Sequence, residues 1–80
     1  MARETRRESD IYEVISYNIK KYRKKRRWTQ AQLARRSNYT HEYIRRIEAP
    51  NSKKTFSLET IDNIANALGI DIIYLFERRK

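Results

Sequence analysis

The apolar residues of this chain recur with a helical period. Ile11, Val14, Ile15, Ile19 and Tyr22 fall three or four positions apart and form one stripe along one face of a helix. No stretch alternates with the two-residue period of a half-buried strand, and no segment repeats. Four later helix starts share one arrangement: an apolar residue, a capping residue, then a second apolar residue five positions after the first. Trp28–Thr29–Leu33, Tyr39–Thr40–Ile44, Phe56–Ser57–Ile61 and Ile70–Asp71–Leu75 all follow it, which is the spacing of a capped helix with a hydrophobic staple. Gln32, three residues after Thr29, completes a capping box. Asn38 and Gly69 stand where a left-handed residue ends a helix, and Pro50 closes another.

These signals predict five helices over about residues 11–26, 30–37, 41–48, 58–68 and 72–77, the first capped by Ser9 or Asp10. Residues 1–9 are expected to be a mobile arm and residues 51–55 a polar loop. The expected fold is all-α: a compact five-helix bundle in one domain, residues 10–80.

Composition narrows the function. The chain has 80 residues, with 19 Lys+Arg against 10 Asp+Glu, one His, one Gly and no Cys. The absence of Cys removes disulfides and thiolate chemistry and fits a cytoplasmic protein. Residues 1–10 are too polar for a signal peptide, and no apolar run approaches the roughly 20 residues that span a bilayer. One His, no Gly-rich phosphate loop and scattered carboxylates leave little catalytic equipment, so neither an enzyme nor a metal or cofactor site is expected. The net charge is −1 over residues 1–19, +11 over 20–54 and −1 over 55–80, which sum to +9. All of the excess therefore sits in the middle segment, where residues 20–27 alone hold seven cations. A solvated helix end accounts for part of that run; a surface for polyanions accounts better for the whole.

That middle segment also contains two helices of about two turns each, joined by Asn38, Tyr39 and the cap Thr40, a helix-turn-helix. Small Ala34 lets the second of them cross close by, with Ile44 and Ile47 facing inward. His41, Glu42, Arg45 and Arg46 then share the opposite face, and the N-terminal part of such a helix is what meets base edges in the DNA major groove. Arg forks onto guanine, Glu accepts from cytosine N4, and His donates or accepts by tautomer. Plainer readings stand beside these. Glu42 suits a helix N-terminus without DNA, His41 alone is an ordinary surface residue, and the two arginines add affinity by contacting phosphates.

The stretch Trp28–Thr29–Gln30–Ala31–Gln32–Leu33–Ala34, followed by Tyr43–Ile44–Arg45–Arg46–Ile47–Glu48, resembles the phage-repressor (Cro-like, XRE) helix-turn-helix family. Ser57 to Ile61, Ile64 to Ile70 and Leu75–Phe76 continue the resemblance, which covers roughly residues 15–76. It implies a regulator that binds double-stranded operator DNA, usually as a homodimer. By position, it implies that Gln30 binds phosphate and braces the recognition helix, that Thr29 and Tyr43 reach the DNA backbone, and that Asn51, Lys53 and Lys54 hold phosphates. It also implies that Arg23 and Glu48 join the first helix to the third. Arg27, Asn38 and Pro50 stand where the family often has Gly, and Tyr39 is larger than the usual Val, so it is expected to pack with its hydroxyl at the surface. Ile73 and Tyr74 stand where the family is usually polar. With Ile70 they are candidates for a dimer interface, or else pack on the Ile11–Val14 turn of the first helix. A protein partner, as for an antitoxin or anti-repressor built on the same fold, is the competing function.

Overall fold

The computed structural model describes residues 8–50 and 54–78. Four α-helices follow one another: α1 (Glu8–Lys25), α2 (Gln30–Ser37), α3 (His41–Glu48) and α4 (Leu58–Leu68), then a short 3-10 segment, Ile72–Phe76. There is no strand among the described residues. The caps at Thr29, Thr40 and Ser57 form as the sequence dictates. Each hydroxyl accepts from the backbone N–H three residues on, and Gln32 closes its box by accepting from the Thr29 N–H at 2.8 Å. Asn38 (φ 67°) and Gly69 (φ 75°) take the left-handed conformation that ends α2 and α4. Ala49 is extended, as a residue before proline must be, so α3 stops at Glu48.

Two expectations are corrected. The fifth helix is not an α-helix. Asp71 accepts from Ile73, only two residues on, and the Tyr74 N–H returns to the Asp71 carbonyl at 3.0 Å, the tighter three-residue closure. The buried Asn18 amide explains its short length, because it donates to the carbonyls of Leu75 (2.9 Å) and Glu77 (2.7 Å), groups a longer helix would use itself. The first helix already includes Glu8, so Ser9 and Asp10 lie inside it and are not its cap. Two residues of the expected arm therefore belong to α1, and residues 1–7 lie outside the described ones.

All five elements contribute to one core. Ile15 and Ile19 of α1 meet Leu33, Ala34, Ile44, Ile47, Ile61, Ile64, Ala65 and Leu68, with Phe56 and Leu75 closing the ends. Each fully buried Ile or Leu contributes about 1.5–3 kcal/mol. Buried polar bonds set the angles between helices. Ser16 Oγ donates to the Ile47 carbonyl at 2.6 Å, tying α1 to the last turn of α3. Arg26 Nε donates to the Leu68 carbonyl at 2.7 Å and so caps the end of α4 from across the bundle. Gly69 suits that position chiefly through its backbone, although the Arg26 side chain also lies close. Its φ is left-handed, and a Cβ would fall 2.6 Å from Arg26 Nη2. Arg27, by contrast, carries its side chain at φ 62°, a conformation costing a non-Gly residue about 1 kcal/mol.

Candidate nucleic-acid interface

α2 and α3 are joined only by Asn38, Tyr39 and Thr40 and pack through Ala34, Ile44 and Ile47, all buried. With that side of α3 committed to the core, His41, Glu42, Arg45 and Arg46 are left exposed together on the other. Arg45 and Glu42 are in direct contact, with Arg45 Nη2 donating to Glu42 Oε1 at 2.6 Å.

The carboxylate of Glu48, at the far end of α3, organises the neighbourhood. Its side chain is 1% exposed. Arg23 donates to it twice, Nε to Oε2 at 2.7 Å and Nη2 to Oε1 at 2.9 Å, and spends its Nη1 on the Trp28 carbonyl at 2.7 Å. Gln30 Nε2, from the first residue of α2, donates to Oε1 at 3.1 Å. One buried carboxylate thus joins α1, the N-terminus of α2 and the C-terminus of α3. The pair has the forked geometry that makes Arg–carboxylate bonds strong. Its consequence is positional: the start of α2 is held against the C-terminal end of α3.

The other residues expected at the interface divide. Thr29 is exposed, with its hydroxyl engaged as the cap of α2. Tyr43 is half-buried, its ring centroid 5.0 Å from that of Tyr39. The Tyr39 hydroxyl is not simply solvated: it takes an N–H from Asn63 at 3.0 Å and meets Thr60 Oγ1 at 3.4 Å, fixing the turn to α4. Asn51 and Lys53 lie outside the described residues. Lys54 is placed against its expected phosphate role. Its side chain is 4% exposed, and its ammonium donates to the Ala49 carbonyl and sits 4.0 Å from Glu13. Ile73 (60% exposed) and Tyr74 (45%) stand at the surface, with the Tyr74 ring 6.3 Å from that of Tyr22, while Ile70 is half-buried.

The basic segment is therefore not uniformly a surface for polyanions. Arg23, Arg26 and Lys54 serve internal bonds, and Arg26 and Arg36 both lie against the Trp28 ring, at 5.4 and 4.6 Å from its centroid. Two guanidinium groups on one indole form a cation–π cluster that sequence reading missed, because nothing in the spacing of 26, 28 and 36 marks it. The exposed cations that remain on the helix-turn-helix unit itself include Arg35, Arg45 and Arg46. No cluster of three His, Cys, Asp or Glu side chains with metal-binding geometry occurs among the described residues, and none of their helices is long and apolar enough to cross a membrane.

Residues 19–75 match the model of a helix-turn-helix family. The chain belongs to the XRE-type helix-turn-helix family. Among curated proteins it is 38% identical, over 58 residues, to the immunity repressor protein of Bacillus phage phi105, a match covering 72% of this chain and 39% of the repressor. It is 30% identical over 63 residues to a hypothetical transcription factor of Neisseria meningitidis serogroup B, covering 79% of this chain and 58% of that protein. The chain thus spans about two fifths and about three fifths of the lengths of these relatives. The crystal structure of the hypothetical transcription factor NHTF from Neisseria superposes with a TM-score of 0.79 at 27% identity, over 91% of this chain and 82% of that one. The match begins inside α1 and ends in the 3-10 segment, so it includes the helix-turn-helix unit and the core from Ile19 to Leu75, with Ile15 and Ser16 lying before it. XRE-type helix-turn-helix proteins are DNA-binding transcription regulators, the class to which both curated relatives' names point.

Proposed function

We propose that this chain binds a specific double-stranded DNA operator as a homodimer, with α3 in the major groove, and represses transcription in the cytoplasm. The observation that carries the reading is the exposed face of α3. His41, Glu42, Arg45 and Arg46 stand out together on one face of a helix whose Ile44 and Ile47 are committed to the core. In this reading those four residues meet base edges, and the start of α2 at Thr29 and Gln30, together with Tyr43, takes backbone phosphates. Asn51 and Lys53 belong to the same phosphate set by position. Lys54 is left out of it because its ammonium is already used. No catalysis, metal or cofactor enters.

The two-fold assembly rests on Ile73 and Tyr74, together with the half-buried Ile70. An exposed apolar pair on a segment held by two Asn18 bonds suits a second copy of the same surface. Half-sites would then lie about one DNA turn apart, near 34 Å. Selection of bound duplexes from a random pool at physiological salt, with stoichiometry measured on the winner, tests the reading. A two-fold consensus bound by two chains is expected, with affinity falling steeply as salt rises. Salt-sensitive binding with no enriched sequence would overturn it in favour of a protein partner.

A further inference from the structure

Glu42 and Arg45 form an exposed ion pair on the face of α3 proposed to meet DNA, three residues apart, with side chains 74% and 60% exposed. Arg45 is in the second turn, yet its guanidinium lies back over the first, because Nη2 bonds Glu42 Oε1 at 2.6 Å. That is the direction in which long side chains lean on a helix, toward its N-terminus. It is also the end of a recognition helix that reaches the bases. A guanidinium offers five N–H groups on three edges. One bond to a single Nη2 hydrogen leaves at least one complete two-hydrogen edge open, which is the fork that fits guanine O6 and N7. Arg23 supplies the contrast, since its Nε, Nη1 and Nη2 are all spent inside the protein.

We propose that Arg45 reads a guanine in each half-site and that Glu42, grouped above with the base-edge residues, acts instead as the positioning residue of Arg45 and does not itself read a base. This rests on the DNA reading above. Glu42 acts in two ways. It holds the arginine over the first turn before DNA arrives, so less side-chain freedom is lost on binding. It also sets a negative charge against the DNA, which is tolerated only while Arg45 neutralises it and remains directed at the base. A carboxylate so placed penalises every complex in which Arg45 leaves it for a phosphate, and that penalty favours the guanine site over others.

The test compares wild type with Glu42→Gln, Arg45→Gln and Arg45→Lys. Each is selected on the random pool, then measured on the winning duplex and on single-base replacements of it. In the wild type, one guanine per half-site is expected to be preferred about tenfold to hundredfold. Arg45→Gln and Arg45→Lys should both abolish that preference and leave the preferences at other positions in place. Arg45→Lys, which keeps the charge, should keep the salt slope, whereas Arg45→Gln, which leaves Glu42 unneutralised, should also weaken every sequence. Glu42→Gln should keep the same guanine at a reduced preference, and should bind non-cognate duplex more tightly because a repulsive charge is gone. Three outcomes would overturn the proposal: Glu42→Gln relaxing a different base pair, which makes Glu42 a direct reader; Arg45→Gln weakening all sequences equally while the guanine preference persists, which makes Arg45 a phosphate contact; or a wild-type consensus with no guanine under Arg45. Failure of the wild type to enrich any sequence is a different result, and it removes the DNA reading itself.

Discussion

The molecule contains two Arg–Glu pairs of nearly equal bond length in opposite surroundings. Arg23–Glu48 is closed at 2.7 Å with side chains 8% and 1% exposed, while Arg45–Glu42 is closed at 2.6 Å with side chains 60% and 74% exposed. Distance alone does not separate them; solvent and the remaining hydrogens do. In the buried pair the attraction is little screened, each of the three Arg23 nitrogens bonds within the protein, and Gln30 adds a further bond to the carboxylate. In the exposed pair water screens the attraction, so its worth in the free protein is about 0–1 kcal/mol, and the open edges of the guanidinium await a partner. The same two residue types make a clamp in one place and a recognition element in the other.

The sharpest way to break this contrast is to remove one member of the buried pair. Glu48→Ala leaves Arg23 buried without its counter-charge and should cost about 3–5 kcal/mol, most of the stability of a domain this small, as read from urea unfolding. Replacing both Arg23 and Glu48 with apolar residues should recover much of that loss, which a pair valued only for its attraction would not do. Next in size is Asn18→Ala. It removes two buried bonds to the Leu75 and Glu77 carbonyls and should cost about 1–3 kcal/mol, with faster amide exchange confined first to the 3-10 segment. Uniform loosening of the whole bundle would contradict the role given to Asn18.

Tyr74→Ser should convert the proposed dimer to monomer in sedimentation while changing monomer stability little, since the side chain is 45% exposed. An unchanged dimer would send the search for the interface elsewhere. The smallest expected effect on stability is that of Glu42→Ala, within about 1 kcal/mol of wild type. A loss as large as that of Glu48→Ala would erase the distinction between the two pairs.

The parts of this fold that are legible in the sequence are those whose partners lie close along the chain. Thr29, Thr40 and Ser57 announce their helices because each cap bonds a backbone N–H three residues away. Arg26 and Asn18 announce nothing, since their acceptors lie 42 and 57 residues further on, and only the folded bundle brings them near. The fifth element shows the limit from another side. Asp71 and Leu75 carry the cap and staple pattern of an α-helix, yet only five residues are helical and a distant amide takes the carbonyls, so a 3-10 turn forms instead. The apolar stripe from Ile11 marks where α1 touches the core, and the helix already runs from Glu8, ahead of that stripe.

The interface divides along the same line. Periodicity alone identifies which residues of α3 face away from the core. The joining of Arg23, Gln30 and Glu48 came from family resemblance, and its geometry is visible only once three helices have met. The cations were the least legible. Lys54, Arg26 and Arg36 look alike in a charge count, but the fold buries the Lys54 side chain, while Arg26 and Arg36 stay exposed and lie against the Leu68 carbonyl and the Trp28 ring.

The measurement that tests the account most directly follows the two guanidinium groups by NMR while the selected duplex is added. The account predicts that the Arg45 Nε–H signal, with the amides of His41, Glu42 and Arg46 and those at the start of α2, shifts on binding, while the Arg23 Nε–H signal stays in place. Shifts centred on α1 and the 3-10 segment, with Arg45 unmoved, would contradict it.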